Sequence, residues 1–200
     1  MKELRRQGAI YYGERMAEAD TIAGHSYTVA CLSWLLVRLL KRKHCDLSVE
    51  KVLKLALCHD MGEAMIGDVG TAVKAAGVST PEADAVKRLV DGLHDSDELI
   101  ALHHDYECLA SREAAIVKVA DRLDAWAHAL STPSVHKLIS AWRFYNHQVH
   151  QKLKKARGES TPDSFWGDLD ELYRQACTKL EDSQVILLNE AERAFNEPGW

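Results

Sequence analysis

The sequence predicts an all-α fold, and three observations support this fold class. Apolar residues recur at intervals of three and four, as in Val29, Leu32 and Leu36, which is typical of amphipathic helices. A strand-like alternation of apolar and polar residues does not persist anywhere in the 200 residues. The prolines each fall where a helix is expected to begin or end: Pro81, Pro133, Pro162 and Pro198.

The helices are predicted from this pattern in chain order. A short N-terminal helix is followed by helices near 26–43, 48–61, 81–93, 96–104, 111–131, 134–157 and 164–195. Ser48 and the segment 80–82 (Thr-Pro-Glu) favour helix starts, and Ser111 can cap the helix that follows it. We interpret residues 1–200 as a single domain, with a core unit at about 20–131 and C-terminal helices at about 134–195.

Composition excludes several classes of protein. The formal charge of −5 argues against a general nucleic-acid binder, which normally carries a basic patch. No uninterrupted apolar run approaches the roughly 20 residues that span a bilayer. The five cysteines are scattered, odd in number and without a Cys-Xaa-Xaa-Cys motif, which argues against disulfides and a cysteine zinc site. We therefore expect a cytoplasmic protein that binds neither membranes nor nucleic-acid polymers.

The stretch 55–68 carries the strongest chemical signal. An apolar run ends in His59-Asp60, and Glu63 and Asp68 follow within ten positions. Buried carboxylates and imidazoles are costly unless they are paired or bound to a cation. The stretch therefore predicts a metal site with ligands at His59 and Asp60, and with a proton-handling carboxylate at Glu63 or Asp68.

Two further residues can complete this site. His25 lies where the helix near 26–43 should begin, and Asp121 lies on a strongly apolar helix. Taken alone, His25 is more often a helix cap or a surface residue, whereas an aspartate in an apolar helix needs a partner. Two imidazoles and two carboxylates suit Mn, Fe, Co, Ni or Zn better than Mg or Ca. Such a cation can lower the pKa of bound water enough to generate hydroxide near neutral pH.

The order His…His-Asp…Asp, with its flanking residues, resembles the HD-domain superfamily of metal-dependent phosphohydrolases. Residues 57–68 are similar to the His-Asp-Xaa-Xaa-Glu-Xaa-Xaa-Xaa-Gly-Asp segment of its 5′-deoxynucleotidase branch. The similarity extends to about residue 130. The further matching motifs are Tyr106-Glu107, Glu113-Ala114, Val117-Lys118 and Asp121-Arg122-Leu123.

The resemblance implies roles for the polar residues of the site. Its metal ligands correspond to His25, His59, Asp60 and Asp121, and its catalytic carboxylates correspond to Glu63 and Asp68. Either carboxylate could orient or deprotonate the attacking water, or protonate the leaving group. We assign the activation of the attacking water to Glu63, because it is nearest the His-Asp pair along the chain. Asp68 is then expected to serve the nucleoside oxygen or the sugar.

Substrate contacts are also implied by the resemblance. Thr71 and Lys74 match the family's Asp-Xaa-Pro-Thr-Pro-Val-Lys loop, and an ammonium there suits a phosphate. Arg6 matches the arginine of an Arg-Xaa-Gly-Trp-Xaa-Xaa-Arg-Gly segment, while Arg15, closer to His25, is a competing phosphate ligand. The chain departs from these two segments around the substrate, at Ala9, Tyr12, Gly70 and Ala72.

These observations predict a metal-dependent phosphohydrolase that converts (deoxy)nucleoside 5′-monophosphates to nucleoside and phosphate. An enzyme acting on another small phosphate, such as a cyclic nucleotide or a nucleoside triphosphate, is the alternative. A non-catalytic, metal-stabilised scaffold is a third hypothesis, which has no evident need for Glu63 and Asp68. The resemblance also implies a homodimer. His103 and His104 could suggest a second metal, but they align with non-ligands, so the number of metal ions stays open.

Overall fold

The computed structural model describes residues 2, 4–7, 10, 19–68, 82–131, 151, 153 and 164–196, and the side chains of the last segment as far as residue 183. These residues form helices and only one isolated backbone bridge, so the all-α prediction is confirmed. In chain order the helices are α1 (Ile22–Leu40), α2 (Val49–Cys58), α3 (Glu63–Ile66), α4 (Glu82–Leu89), α5 (Ser96–Cys108), α6 (Arg112–Ser131) and α7 (Ser164–Asn196).

The first long helix begins four residues earlier than predicted. Thr21 is its N-cap, and its hydroxyl accepts a hydrogen bond from the Gly24 backbone N–H at 3.0 Å. The cap precedes the apolar pattern, which is why periodicity alone placed the start near 26. As a result His25 lies inside the first turns of α1 and is fully buried. The predicted last residues, 41–43, form turns beyond Leu40.

The second helix ends earlier than predicted, at Cys58. Ser48 is its N-cap, as predicted, and accepts a hydrogen bond from the Lys51 backbone N–H at 3.1 Å. After Cys58 the backbone tightens, because Met61 donates to the Cys58 carbonyl at 3.1 Å. The residues from His59 to Gly62 therefore form a turn, which leads into the single helical turn of α3.

The pair α5 and α6 forms a helical hairpin beside this turn. α5 runs to Cys108, past the predicted end at 104, and Leu109 then takes a left-handed conformation with φ of 50°. The Ser111 hydroxyl accepts from the Ala114 backbone N–H at 3.2 Å, which confirms the predicted cap of α6.

The core lies between α1, α2 and α6, and α7 packs on it. Fully buried side chains from these helices include Val37, Leu55, Ile116, Phe165 and Leu169. Burial of side chains of this size is the main stabilising term of such a bundle, at about 1.5–3 kcal/mol each. The bundle therefore gives α1, α2 and α6 fixed relative positions.

An N-terminal segment lies beside the start of α1. Arg5 and Thr21 form an antiparallel bridge, with the Arg6 backbone N–H donating to the Asp20 carbonyl at 2.9 Å. The Arg5 guanidinium donates to the Ala19 carbonyl at 2.7 Å. These contacts bring Arg6 close to the helices that carry the candidate ligands.

By length and composition alone, α1 is long and apolar enough to cross a membrane. A core helix of a soluble protein passes the same test, and the buried face of α1 packs against α2 and α6. Most of the predicted helix near 134–157, except residues 151 and 153, and most of the predicted N-terminal helix lie outside the described residues.

Candidate metal centre

Four predicted ligands meet at one point of the bundle. His25 comes from the first turns of α1, His59 and Asp60 come from the turn after α2, and Asp121 comes from the middle of α6. His25 Nε2 lies 3.4 Å from His59 Nε2, 3.5 Å from Asp60 Oδ2 and 3.4 Å from Asp121 Oδ1. His59 Nε2 lies 3.2 Å from Asp60 Oδ2.

These separations fit a divalent transition cation. Ligand atoms at about 2.1 Å from a tetrahedral ion are about 3.4 Å apart. The donor set of two imidazole nitrogens and two carboxylate oxygens is one that Mn, Fe, Co, Ni and Zn accept. His25, His59 and Asp121 are buried, and each offers a ligand atom within 4.8 Å of the other two. We call His25, His59, Asp60 and Asp121 the metal centre.

Both imidazoles are held in one orientation. His25 Nδ1 donates to Asp124 Oδ2 at 2.5 Å, and His59 Nδ1 donates to the Ala56 carbonyl at 2.8 Å. In the neutral form each ring therefore presents the lone pair of Nε2 to the other ring. Hydrogen bonding of the non-ligating ring nitrogen to a carboxylate or a carbonyl is usual for metal-bound histidine.

Charge balance around His25 raises its pKa above the ordinary value. Burial and the positive charge of Arg6 both lower this pKa, but hydrogen bonds with Asp121 and Asp124 and the charge of Asp60 outweigh them. The carboxylates around the ring therefore stabilise a positive charge at this position, whether a proton or a cation supplies it.

The two carboxylates of the metal centre are held ionised. Burial would raise the pKa of Asp60, but the charge of His59 and its hydrogen bond lower it below the ordinary value. Burial likewise opposes ionisation of Asp121, whose pKa is held well below its usual range by Lys118 and Arg122. Ionised carboxylates are the form that binds cations.

Tyr106 and Lys118 hold Asp121 in place. The Tyr106 hydroxyl donates to Asp121 Oδ2 at 2.8 Å, and Lys118 Nζ donates to the Tyr106 oxygen at 2.8 Å. Lys118 Nζ also lies 3.2 Å from Asp121 Oδ2. Burial and the nearby aspartates raise the pKa of Tyr106 well above its usual value, which keeps the phenol a donor. Asp121 Oδ1 is thereby left to face His25.

Arg6, in the N-terminal segment, lies near the metal centre, with its Nη1 atom 3.9 Å from Asp124 Oδ2. Burial lowers the pKa of Arg6, but the charges of Asp121, Asp60, Asp68 and Glu63 together raise it above the ordinary value. Its side chain is 21% exposed, so part of the side chain reaches solvent. A guanidinium near the metal centre suits a phosphate oxygen, with which it forms strong charge-assisted hydrogen bonds.

Of the two predicted catalytic carboxylates, one begins α3 and the other follows its end. Glu63 is the first residue of α3 and is buried, while Asp68 follows Gly67, whose φ of 77° favours glycine. Asp68 Oδ2 accepts a hydrogen bond from the Gln7 backbone N–H at 2.6 Å. That bond ties the end of the 55–68 stretch to the segment that carries Arg6. Three predicted substrate contacts lie outside the described residues, namely Arg15, Thr71 and Lys74.

The hydrogen-bond partners of the predicted ligands were not predicted from the sequence. Asp124 is three positions after Asp121 on α6, a spacing that places both on one helix face. In the sequence Tyr106 and Lys118 stand out only as parts of motifs, because their hydrogen bonds depend on how α5 packs against α6.

Residues 1–162 of the chain match the family model of the HD domain. The chain belongs to the HD-domain family. The predicted resemblance and the all-α fold of that family are thereby confirmed.

Two relatives with a similar sequence are both named 5′-deoxynucleotidase. The chain is 28% identical over 128 residues to the 5′-deoxynucleotidase HDDC2 of Danio rerio, across 62% of this chain and 60% of the relative. It is 25% identical over 191 residues to the 5′-deoxynucleotidase HDDC2 of Dictyostelium discoideum, across 92% of this chain and 93% of the relative. The match thus spans about three fifths of the length of the first relative and nearly all of the second.

A solved structure has a similar fold. A conserved hypothetical protein from Pyrococcus furiosus superposes with a TM-score of 0.64 at 28% identity. The superposition covers 88% of this chain and 92% of the other chain. The arrangement of helices is therefore shared with an experimentally determined protein over most of both chains.

Proposed function

We propose that this chain is a metal-dependent phosphohydrolase that hydrolyses (deoxy)nucleoside 5′-monophosphates to nucleoside and phosphate. The observation that carries the proposal is that His25 Nε2 lies 3.4–3.5 Å from ligand atoms of His59, Asp60 and Asp121. His59 Nε2 also lies 3.2 Å from Asp60 Oδ2. The names of the HD-domain relatives, 5′-deoxynucleotidases from two organisms, supply the substrate class.

The residues of the metal centre would hold one divalent transition cation. When bound, such a cation neutralises phosphate charge and makes water easier to deprotonate. Asp124 and the Ala56 carbonyl orient the two imidazoles toward that position, and Tyr106 orients Asp121. Mn, Fe, Co, Ni and Zn all suit this donor set, so the proposed cation is one of these five.

Arg6 is proposed to bind the phosphate of the substrate. A guanidinium pairs with two phosphate oxygens at once, which fixes the phosphorus atom relative to the attacking water. The four carboxylates that raise the pKa of Arg6 keep it charged at every working pH. Thr71 and Lys74 stay predicted phosphate contacts, with Arg15 as the predicted alternative to Arg6.

Glu63 is proposed as the base for the attacking water. It takes a proton from water as the new P–O bond forms and the bond from phosphorus to the nucleoside 5′-oxygen breaks. The proton ends on the 5′-oxygen, directly or through solvent, so the products are a nucleoside and inorganic phosphate. Asp68 is proposed to contact the sugar or the 5′-oxygen with the carboxylate oxygen that is not bonded to Gln7.

A substrate panel tests this proposal. Phosphate release is measured with deoxy- and ribonucleoside monophosphates, nucleoside triphosphates and cyclic nucleotides in the presence of Mn²⁺ or Co²⁺. We expect the wild type to release phosphate from monophosphates and Asp60→Asn to release none. Asp97→Asn, which changes an exposed carboxylate of α5, should release phosphate as the wild type does. Release from triphosphates or cyclic nucleotides alone would favour the other small-phosphate enzyme.

A different result would favour a scaffold. If the chain binds a cation at this site but releases phosphate from no member of the panel, the function is binding and not hydrolysis. The single-domain organisation, the cytoplasmic location and the homodimer stay predictions. Light scattering of the purified chain tests the dimer directly.

A further inference from the structure

We propose that Glu82, His103 and Glu107 form a second divalent-cation site, separate from the metal centre. Each of the three residues offers a ligand atom, and these atoms lie within 4.8 Å of one another. Glu82 is 5% exposed and His103 is 4% exposed, whereas Glu107 reaches solvent. The site is thus buried on one side and open on the other, and it shares no residue with the metal centre.

The side chain of His103 points to a missing partner. Its Nε2 atom is buried and has no hydrogen-bond partner among the residues that the structure describes. Glu82 Oε1 lies 3.8 Å from this nitrogen, beyond hydrogen-bond distance. Buried polar atoms almost always have a partner, so this exception needs an explanation. A cation bound between the imidazole and the carboxylates provides one.

The donor set selects the kind of cation. One imidazole and two carboxylates, with water in the remaining position, are a usual environment for Zn²⁺ and similar transition cations. Mg²⁺ and Ca²⁺ are bound mainly through oxygen, so the imidazole disfavours them. His103 and Glu107 are four positions apart on α5, and residues at that spacing lie on the same helix face. Glu82, the first residue of α4, supplies the ligand from the neighbouring helix.

The position of Glu82 depends on Gly62. A Cβ atom at position 62 would lie 2.7 Å from Glu82 Cγ and 3.0 Å from the Glu82 carbonyl oxygen. Only glycine therefore lets α4 approach so closely the turn that carries Asp60 and precedes Glu63. A cation at the second site would fix α4 to α5 beside that turn, and binding to the folded state alone would stabilise the protein.

Zinc binding by the full chain tests the proposal. Zn²⁺ alone is equilibrated with the wild type and with three variants by dialysis, and bound zinc is counted by mass spectrometry. His103→Gln and Glu107→Gln each remove a proposed ligand. Because Glu107 is exposed, its variant should fold as the wild type does. His104→Gln is the matched control, because His104 is the exposed neighbour of His103 on the same helix.

We expect two zinc ions per chain in the wild type and in His104→Gln. In His103→Gln and Glu107→Gln one of them should bind about tenfold more weakly or not at all, since loss of even indirect contacts weakens metal sites by that factor. One zinc in the wild type, or two in both ligand variants, would overturn the proposal, as would a loss in His104→Gln.

The two sites can be told apart in the same experiment. Asp60→Asn should remove zinc from the metal centre and leave the second ion, which Glu107→Gln then removes in the double variant. If the chain releases no phosphate, the number of bound zinc ions per chain is unaffected. The second site is therefore tested independently of the proposed function.

Discussion

Asp124 accepts a hydrogen bond from His25 Nδ1 at 2.5 Å, although the two residues are 99 positions apart. The bond joins the start of α1 to the middle of α6. It also determines which ring nitrogen of His25 faces His59 and Asp121, because Nδ1 is occupied. Asp124 is therefore a positioning residue for the metal centre.

Removal of the Asp124 carboxylate is expected to weaken metal binding. In Asp124→Ala the His25 ring loses the acceptor that fixes its orientation, so the affinity of the metal centre for Mn²⁺ should fall about ten- to a hundredfold. A competitive titration with a chelating dye measures this affinity. Asp97→Asn, an exposed aspartate of α5, is the control and should bind as the wild type does. Equal affinities in all three proteins would contradict the role given to Asp124.

Tyr106→Phe is expected to lower the free energy of unfolding by about 1–2 kcal/mol. The variant removes the donor to Asp121 Oδ2 and leaves Lys118 without its acceptor on the phenol. Urea unfolding measures the loss. Tyr27→Phe is the control, because Tyr27 is 73% exposed and its change should stay within about 0.5 kcal/mol. Equal losses in the two variants would show that the hydrogen bonds of the Tyr106 hydroxyl do not contribute to the free energy of unfolding.

Arg6→Ala is expected to raise the KM for a nucleoside monophosphate about tenfold or more, because a charge-assisted contact to phosphate is lost. The affinity for the cation should not fall, because the variant removes a positive charge from among the carboxylates. Steady-state kinetics and a metal titration check the two parts. Arg38→Ala, on the exposed side of α1, should change neither. An unchanged KM would contradict phosphate binding by Arg6.

Two glycine substitutions should have opposite effects. Gly62→Ala places a methyl group 2.7 Å from Glu82 Cγ and should destabilise the fold by about 1–3 kcal/mol through overpacking. Gly167→Ala, at a position in α7 with nothing within 4 Å, should stabilise it by about 0.5–1 kcal/mol through helix propensity. Thermal and urea unfolding of both variants provide the comparison. Stabilisation in both would mean that α4 does not approach the turn so closely.

The ion pairs of Asp168 predict a pH dependence of stability. Hydrogen bonds from Lys43 and His44, at 2.7 and 2.9 Å, lower the pKa of Asp168 from the ordinary value of 3.8. The unfolded chain therefore binds this proton more readily than the folded chain. The stabilisation is present above pH 3.8 and is lost as the pH falls through that value toward the lowered pKa.

Asp168→Asn should accordingly unfold at a lower urea concentration than the wild type at pH 6. The difference between the two midpoints should shrink as the pH approaches 3, since the wild type then loses the charge that the variant lacks. Asp97→Asn, treated identically, controls for general charge effects. A midpoint difference that is constant between pH 6 and pH 3 would contradict the ion pairs.

The clustering of the proposed ligands could be predicted because their surroundings in the sequence are unusual for polar residues. His59 and Asp60 end an apolar run, and Asp121 interrupts an apolar helix, so each of these side chains needs a partner wherever the helices pack. The start of α1 was placed wrongly because Thr21, the cap, stands outside the apolar pattern. Helix periodicity reports burial, whereas a cap depends on one local hydrogen bond.

The hydrogen-bond partners of the proposed ligands were harder to predict for a physical reason. Asp124 had a local signal, its spacing of three from Asp121, but its partner His25 is distant in the chain. Glu82 and His103 likewise meet only after α4 packs against α5. Contacts of this kind depend on helix packing, which a single sequence does not specify residue by residue.

Binding of one divalent transition cation by His25, His59, Asp60 and Asp121 together underlies the whole proposed chemistry. Anomalous diffraction from crystals grown with Mn²⁺, recorded on both sides of the manganese absorption edge, locates such a cation directly. We expect an anomalous peak about 2.1–2.2 Å from His25 Nε2, His59 Nε2 and a carboxylate oxygen of both aspartates. Manganese bound elsewhere in the protein, with no peak between these four side chains, would contradict this assignment.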